Sequence, residues 1–227
     1  MARTAILVDG GFYRRKYAKG TEHTPAEAAN ALVKYCYRHL HEHHGDHELY
    51  RIFYYDCEPC GKKIFHPLKN KTEDFSKTPH YSWMHQFLKE LTKKRKVALR
   101  LGTIDEGSAV FVLTEKATKD IVLKKRKVEE LNDHDFVTSI KQKGVDMKIG
   151  MDIASLAYKK QVDQIVLIAG DADFVPAAKL ARREGIDFVL DPLGHAIKDD
   201  LFEHIDGKRS CGDPYINKKP DSKKESD

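Results

Sequence analysis

Runs of β-branched and other apolar residues alternate along this chain with stretches whose apolar positions recur every three or four residues. The runs "TAILVD" (4–9), "LYRIFYYD" (49–56), "VALRLG" (97–102), "QIVLIAG" (164–170) and "IDFVLD" (186–191) are predicted as strands. The periodic stretches predict helices over 25–43, 79–96, 146–160 and 174–184, with a shorter one near 197–204. Repeated strand-helix units of this kind imply an α/β fold with a parallel sheet. Residues 103–128 break the alternation, and "AVFVLTE" with "DIVLKKRKV" reads as an inserted β-hairpin. Past Ile205 the chain turns polar, so residues 1–206 are expected to form one domain and 207–227 a disordered tail.

Composition narrows the class without naming a function. A length of 227 residues, 41% hydrophobic and 33% charged, suits one α/β domain with a core of its own. No apolar run approaches the roughly 18–20 residues of a membrane span, and "MARTAILVDGG" passes into strand and glycine turn too early for a signal peptide. A soluble cytoplasmic protein is therefore expected. The 40 Lys and Arg residues exceed the 35 acids by five, a balance that permits a nucleic-acid partner without requiring one. Of the four cysteines only Cys57 and Cys60 form a C-x-x-C pair. A structural zinc site would need further donors, for which Cys36, His66 or the cluster "HLHEHHGDH" are available. That cluster reads more simply as a solvated helix end.

The chemistry gathers on aspartates. Asp9, Asp56 and Asp191 end predicted strands, and Asp171 follows one. In open parallel sheets ligands bind beyond the carboxyl ends of the strands. Asp9 precedes Gly10-Gly11, a pair that permits a tight turn or close approach to a phosphate. In "KGVDMKIGMDIASLAYKK", Asp152 borders an apolar helical stripe, and Asp146 suits either a helix N-cap or a site. In "LIAGDADFVP" one aspartate suffices to cap the helix that Pro176 opens; Asp173 is assigned to that cap, which frees Asp171 for chemistry. Clustered carboxylates repel at close range, and a hard cation such as Mg²⁺ or Mn²⁺ removes that cost. Arg14 and Arg15 after the first strand, with Lys143 and Lys148 beside the acidic helix, are candidate phosphate contacts. The KKRK runs at 93–96 and 124–127 read first as solvated faces, and Phe12, Tyr13 and Tyr17 as rings on which bases stack.

The segments "ILVDGGFYRR", "RIFYYD", "KQKGVDMKIGMDIASLAYKKQVDQIVLIAGDADFVPAAKLARREGIDFVLDP" and "LFEHIDG" together resemble the NYN domain family, in its bacterial LabA-like branch, within the PIN-like nuclease superfamily. The resemblance implies a Rossmann-like three-layer α/β/α domain with strand order 3-2-1-4-5. It also implies a Mg²⁺- or Mn²⁺-dependent ribonuclease acting on single-stranded RNA, and leaves room for a homodimer. Carried over by position, the site acids are Asp9, Asp146, Asp152, Asp171 and Asp173, with Asp9, Asp152, Asp171 and Asp173 as metal ligands. The stretch "DCEPC" departs from the family pattern, which argues against a shared role for Cys57 and Cys60. A silent RNA- or protein-binding module of the same fold is the alternative. A HAD-type phosphohydrolase needs a second acid in D-x-D spacing at the first strand, where this chain has Asp9-Gly10-Gly11.

Overall fold

The computed structural model describes residues 1–17, 22–42 and 45–216. Its main strands are β1 (Arg3–Asp9), β2 (Glu48–Cys57), β3 (Val97–Leu113), β4 (Phe136–Lys143), β5 (Gln164–Ile168), β6 (Asp187–Asp191) and β7 (Gly207–Lys208). The helices are α1 (Gly10–Tyr17), α2 (Pro25–Arg38), α3 (Pro79–Thr92), α4 (Glu115–Val122), α5 (Val145–Tyr158), α6 (Val175–Arg183) and α7 (Asp199–Phe202). Among the described residues the strands form one seven-stranded sheet in the order β7-β6-β5-β1-β2-β3-β4. Every neighbouring pair is parallel except β3 with β4. Between β3 and β6, the five strands named from the hydrophobic runs therefore lie third, second, first, fourth, fifth.

Side chains alternate across a strand, and both faces of β1 are covered. Ala5 and Leu7 join Phe53 and Tyr55 beneath α5 and α6, packing on Ile149, Ile153, Leu156 and Ala178. Ile6 and Val8 face the other way with Ile52 and Tyr54, against Tyr13, Leu32, Tyr35, Met84 and Phe87 of α1 to α3. Helices on both faces make three layers, which is why the strand sequences read as nearly unbroken apolar runs.

Two expectations are corrected. The hairpin exists, but its return strand is β4 and not residues 120–128. Thr114 caps a helix by accepting a hydrogen bond from the Ala117 amide, and "DIVLKKRKV" spans the end of α4 and the turn beyond it. Short apolar runs do not distinguish strand from helix by periodicity alone, and here the cap decides. β3 instead runs on to Leu113 and pairs antiparallel with β4 from Thr103↔Lys143 to Leu113↔Phe136, with a bulge between Asp105 and Val110.

The polar segment after residue 206 also stays with the domain as far as Ile216. Gly207 pairs with Val189, Cys211 is buried, and the Arg38 guanidinium donates to the carbonyls of Cys211, Asp213 and Ile216. The expected disorder of 217–227, like His43 and His44 of the histidine cluster, falls outside the described residues.

β1 passes into α1 without a loop. The Asp9 carboxylate accepts from the Phe12 amide at 2.9 Å, satisfying one of the free donors at the helix start. Gly10 makes the junction possible, since a Cβ there would stand 2.5 Å from Asp56 Oδ2 and from the Tyr54 phenol. Gly10→Ala is expected to cost about 1–3 kcal/mol through this overlap, measured by chemical denaturation.

Candidate metal and RNA site

The acids at the carboxyl rim of the sheet fall into two groups. Asp56 is fully buried and accepts from Arg14 Nε at 2.9 Å, Arg14 Nη2 at 3.0 Å, Tyr54 OH at 2.9 Å and its neighbour's amide at 2.8 Å. Asp191 is equally buried and accepts from Tyr35 OH, from Leu193 N at 2.7 Å and from Ser210 Oγ at 2.6 Å, with His39 Nε2 at 2.9 Å. Both carboxylates have their acceptor sites filled by protein donors, so both hold structure together. Arg14 is thereby spent: its guanidinium forks onto Asp56, which corrects its assignment as a free phosphate contact.

The second group keeps oxygens without protein partners. β1 and β5 pair through Val8↔Ile168, which brings Asp9 beside the chain that leads into Asp171. Asp9 Oδ1 takes the Phe12 amide and Asp171 Oδ1 takes the Asp173 amide at 3.1 Å. Among the described residues no donor meets their other oxygens, or either carboxylate oxygen of Asp146 or Asp173. One capping assignment changes and one open alternative closes. Asp171, and not Asp173, caps the turn Ala172–Phe174, while Asp146 lies in the first turn of α5 behind Gly144. Gly144 takes the N-cap position in the left-handed region at φ 82°.

Electrostatics ties the second group together. Burial lifts the Asp9 carboxyl above its ordinary value; the Phe12 amide and Arg15 oppose that, and Asp146 and Asp56 add to it. Burial also raises Asp146, reinforced by Asp171 and Asp173. These acids feel one another as like charges, which is the condition that a cation relieves.

Asp152 does not join them. Tyr55 OH donates to its Oδ2 at 2.7 Å and Arg100 Nε to the same oxygen at 2.9 Å. Six residues along a helix carry a side chain about 9 Å from Asp146 and about 120° around the axis, so the two leave the helix in different directions. Asp152 instead binds α5 to β2 and β3. Asp152→Asn is expected to cost about 0.5–1 kcal/mol, the ion pair being part-exposed, and to leave Mn²⁺ affinity unchanged by isothermal titration calorimetry.

The other assigned contacts also separate. Lys143 pairs with Asp105 at 2.7 Å, whereas Arg15 is exposed beside Asp9 and Lys148 is exposed one half-turn past Asp146. In the run 93–96, Lys93 and Lys94 are tied to Glu90 and Asn30, and in the run 124–127 Arg126 clasps Asp135. Tyr13 is core and Tyr17 donates to the Gly212 carbonyl, so neither is presented to a base. Phe12 is better placed. Its ring closes over Gly170, where a Cβ would come within 2.6 Å, and meets His195 edge-on at 5.8 Å. Phe12, Arg15, Lys16 and His195 line an open groove of about 550 Å³. His195 escaped the sequence reading because nothing local distinguishes a loop histidine that only the fold brings to α1. The four cysteines are free thiols dispersed among the hydrophobic clusters.

Among the described residues no three His, Cys, Asp or Glu side chains stand close enough to hold a metal as they are placed. The kind of donor nevertheless fits: Asp9, Asp146, Asp171 and Asp173 offer only hard carboxylate oxygens, several of them unpartnered among the described residues, which suits a hard divalent cation such as Mg²⁺ or Mn²⁺.

A family model for the NYN domain matches residues 61–196, more than half of the chain. The chain belongs to the NYN domain family. NYN domains are part of the PIN-like nuclease superfamily, and the match spans Asp146, Asp152, Asp171 and Asp173, with Asp9 upstream of it. No curated protein matches the chain. Among solved structures it is similar to VPA0982, a protein of unknown function from Vibrio parahaemolyticus, at 14% identity over 94% of each chain with a TM-score of 0.45. No helix among the described residues of this NYN domain is long and apolar enough to cross a membrane.

Proposed function

We propose that this NYN domain is a divalent-metal-dependent endoribonuclease that hydrolyses phosphodiester bonds in single-stranded RNA. The observation that carries this reading is the contrast at one rim: Asp56 and Asp191 are saturated with donors, while among the described residues Asp9, Asp146, Asp171 and Asp173 keep free oxygens. Those four would hold Mg²⁺ or Mn²⁺. The bound ion would polarise the scissile phosphate and lower the pKa of water. The Phe12 amide fixes the Asp9 carboxylate at the end of β1, and the Asp173 amide fixes Asp171. Arg15 and Lys148 meet flanking phosphates without reading sequence, and the Phe12 ring offers a stacking surface. The products are then a 5′-phosphate and a 3′-hydroxyl.

Incubating the protein with end-labelled single-stranded RNA, with and without Mn²⁺, tests this reading. Cleavage that survives EDTA would sink the metal mechanism. The dispersed placement of the carboxylates favours one second reading, a silent RNA-binding module. It predicts a gel shift with no cleavage at any Mn²⁺ concentration.

A further inference from the structure

A cavity of about 200 Å³ opens beside the acidic rim, and neither the metal nor the phosphate contacts described above occupy it. Cys57 at the end of β2 and the following loop to Cys60 line one side of it. One wall is the start of α3 with Thr78, His80 and Tyr81, and the facing wall is the antiparallel arm, through Ile104, Ile140 and Gln142. The volume is below the roughly 300–1,000 Å³ of pockets that take drug-sized ligands, and suits a single planar ring system.

We propose that this cavity binds one base of the RNA strand, flipped out beside the scissile phosphate; the proposal rests on the reading of the rim as a ribonuclease site. Three observations support it. Position comes first. Asp9 pairs in register with Tyr55, the residue before Asp56 and Cys57, and neighbouring strands lie about 4.8 Å apart. Cys57, which lines the cavity, lies two residues past that partner and so about 8 Å from Asp9, backbone to backbone, within two or three nucleotides along a strand at about 3.4 Å or more per nucleotide.

The lining is the second observation. Tyr81 is half-buried and its ring is seated against Gly61, where a Cβ would come within 3.1 Å, so the loop glycine lets the ring lie close. Apolar surface from Met84, Ile104 and Ile140 completes a slot for a base face. For the base edge there are the Gln142 amide and His80. Burial and the nearby Arg14 charge both lower the His80 pKa, keeping a neutral imidazole able to donate from one nitrogen and accept at the other. Glu58, also at the mouth, is engaged with His85 at 3.3 Å.

Third, the inserted arm now has a use. Without β4 and the extended β3 the cavity would have one wall, and Ile104↔Gln142 are direct partners across that ladder.

The test is fluorescence anisotropy in EDTA, which keeps the RNA intact, comparing a short single-stranded RNA with an abasic oligomer of the same length. Wild type should bind the base-bearing strand about tenfold more tightly, the value of one stacked base. Tyr81→Ala and Gln142→Ala should each reduce that difference severalfold, the remainder being stacking on Phe12, and Tyr81→Phe should retain it. Gln142 is exposed on an edge strand, so its variant keeps the question open to a decisive answer if Tyr81→Ala fails to fold. Equal binding of the two oligomers by wild type, or an unchanged preference in folded Gln142→Ala, overturns the proposal. Base-dependent binding weakened in these variants, with no cleavage in Mn²⁺, upholds the cavity and sinks the nuclease reading. Mn²⁺-dependent cleavage with an identical cut pattern in wild type and variants does the reverse.

Discussion

Asp171→Asn should yield a folded protein with no measurable Mn²⁺-dependent cleavage of RNA, a loss of at least about 10³-fold if the ion organises the attacking water and the phosphate together. Asparagine is the informative replacement because Asp171 does two things. Its Oδ1 caps the turn that starts at Ala172, and its charge stands in the group that raises Asp146. Asparagine keeps an oxygen for the Asp173 amide and caps as well as aspartate does, so a thermal melt should move little. Asp171→Ala would lose the cap as well, about 1 kcal/mol. Activity should also fall on acidification. Asp9 and Asp146 titrate above the ordinary carboxylate value of 3.8 because partial desolvation, more at half-buried Asp9 than at Asp146 on the surface, and neighbouring like charges disfavour ionisation. Protons therefore compete with the ion at higher pH than for an isolated aspartate, and a pH profile of cleavage at fixed Mn²⁺ would show the acid limb displaced upward.

Asp191→Ala carries the largest expected cost to stability, about 3–5 kcal/mol, because it strips a buried carboxylate from its donors. Tyr35, the Leu193 amide, Ser210 and His39 would all lose their acceptor. These donors come from α2, the turn after β6 and the segment after β7, so the carboxylate ties the C-terminal stretch to the first helical layer. The sign of the pH dependence follows from His39. Burial works against its charge, but Asp191 and Cys211 outweigh it and lift the His39 pKa to about 9 from 6.5. A raised histidine stabilises fully below pH 6.5 and loses that contribution as pH rises through about 9. The shift corresponds to a stabilisation on the order of 3 kcal/mol. Urea denaturation from pH 6 to 10 should show wild type weakening across this window and Asp191→Ala nearly flat. An identical slope in both proteins would refute the assignment of the effect to this pair.

Particular residues show how far the sequence could be read. β1, β2, β5 and β6 were legible because strands covered on both faces are continuous apolar runs, and no competing pattern fits them. The arm was misread at "DIVLKKRKV" since three apolar residues in a row fit either structure, and the deciding Thr114 cap is a single hydroxyl. Asp152 looked like a site acid because its helix and its stripe are real. Its partner Arg100 lies 52 positions away on β3, where no local pattern points to it.

The sequence by itself determined the layered parallel α/β fold, the family and the set of aspartates at strand ends, since these follow from periodicity, local turn chemistry and a motif of fixed spacing. Only the tertiary structure decided which of those carboxylates are occupied. Asp56 and Asp191 are silenced by donors from distant segments, Arg14 at a separation of 42 residues and His39 at 152. Among the described residues, Asp9, Asp146, Asp171 and Asp173 keep free oxygens because no such segment reaches them. The physical reason is that a charge is read from one residue, whereas its neutralisation depends on pairs that meet only after the chain has folded.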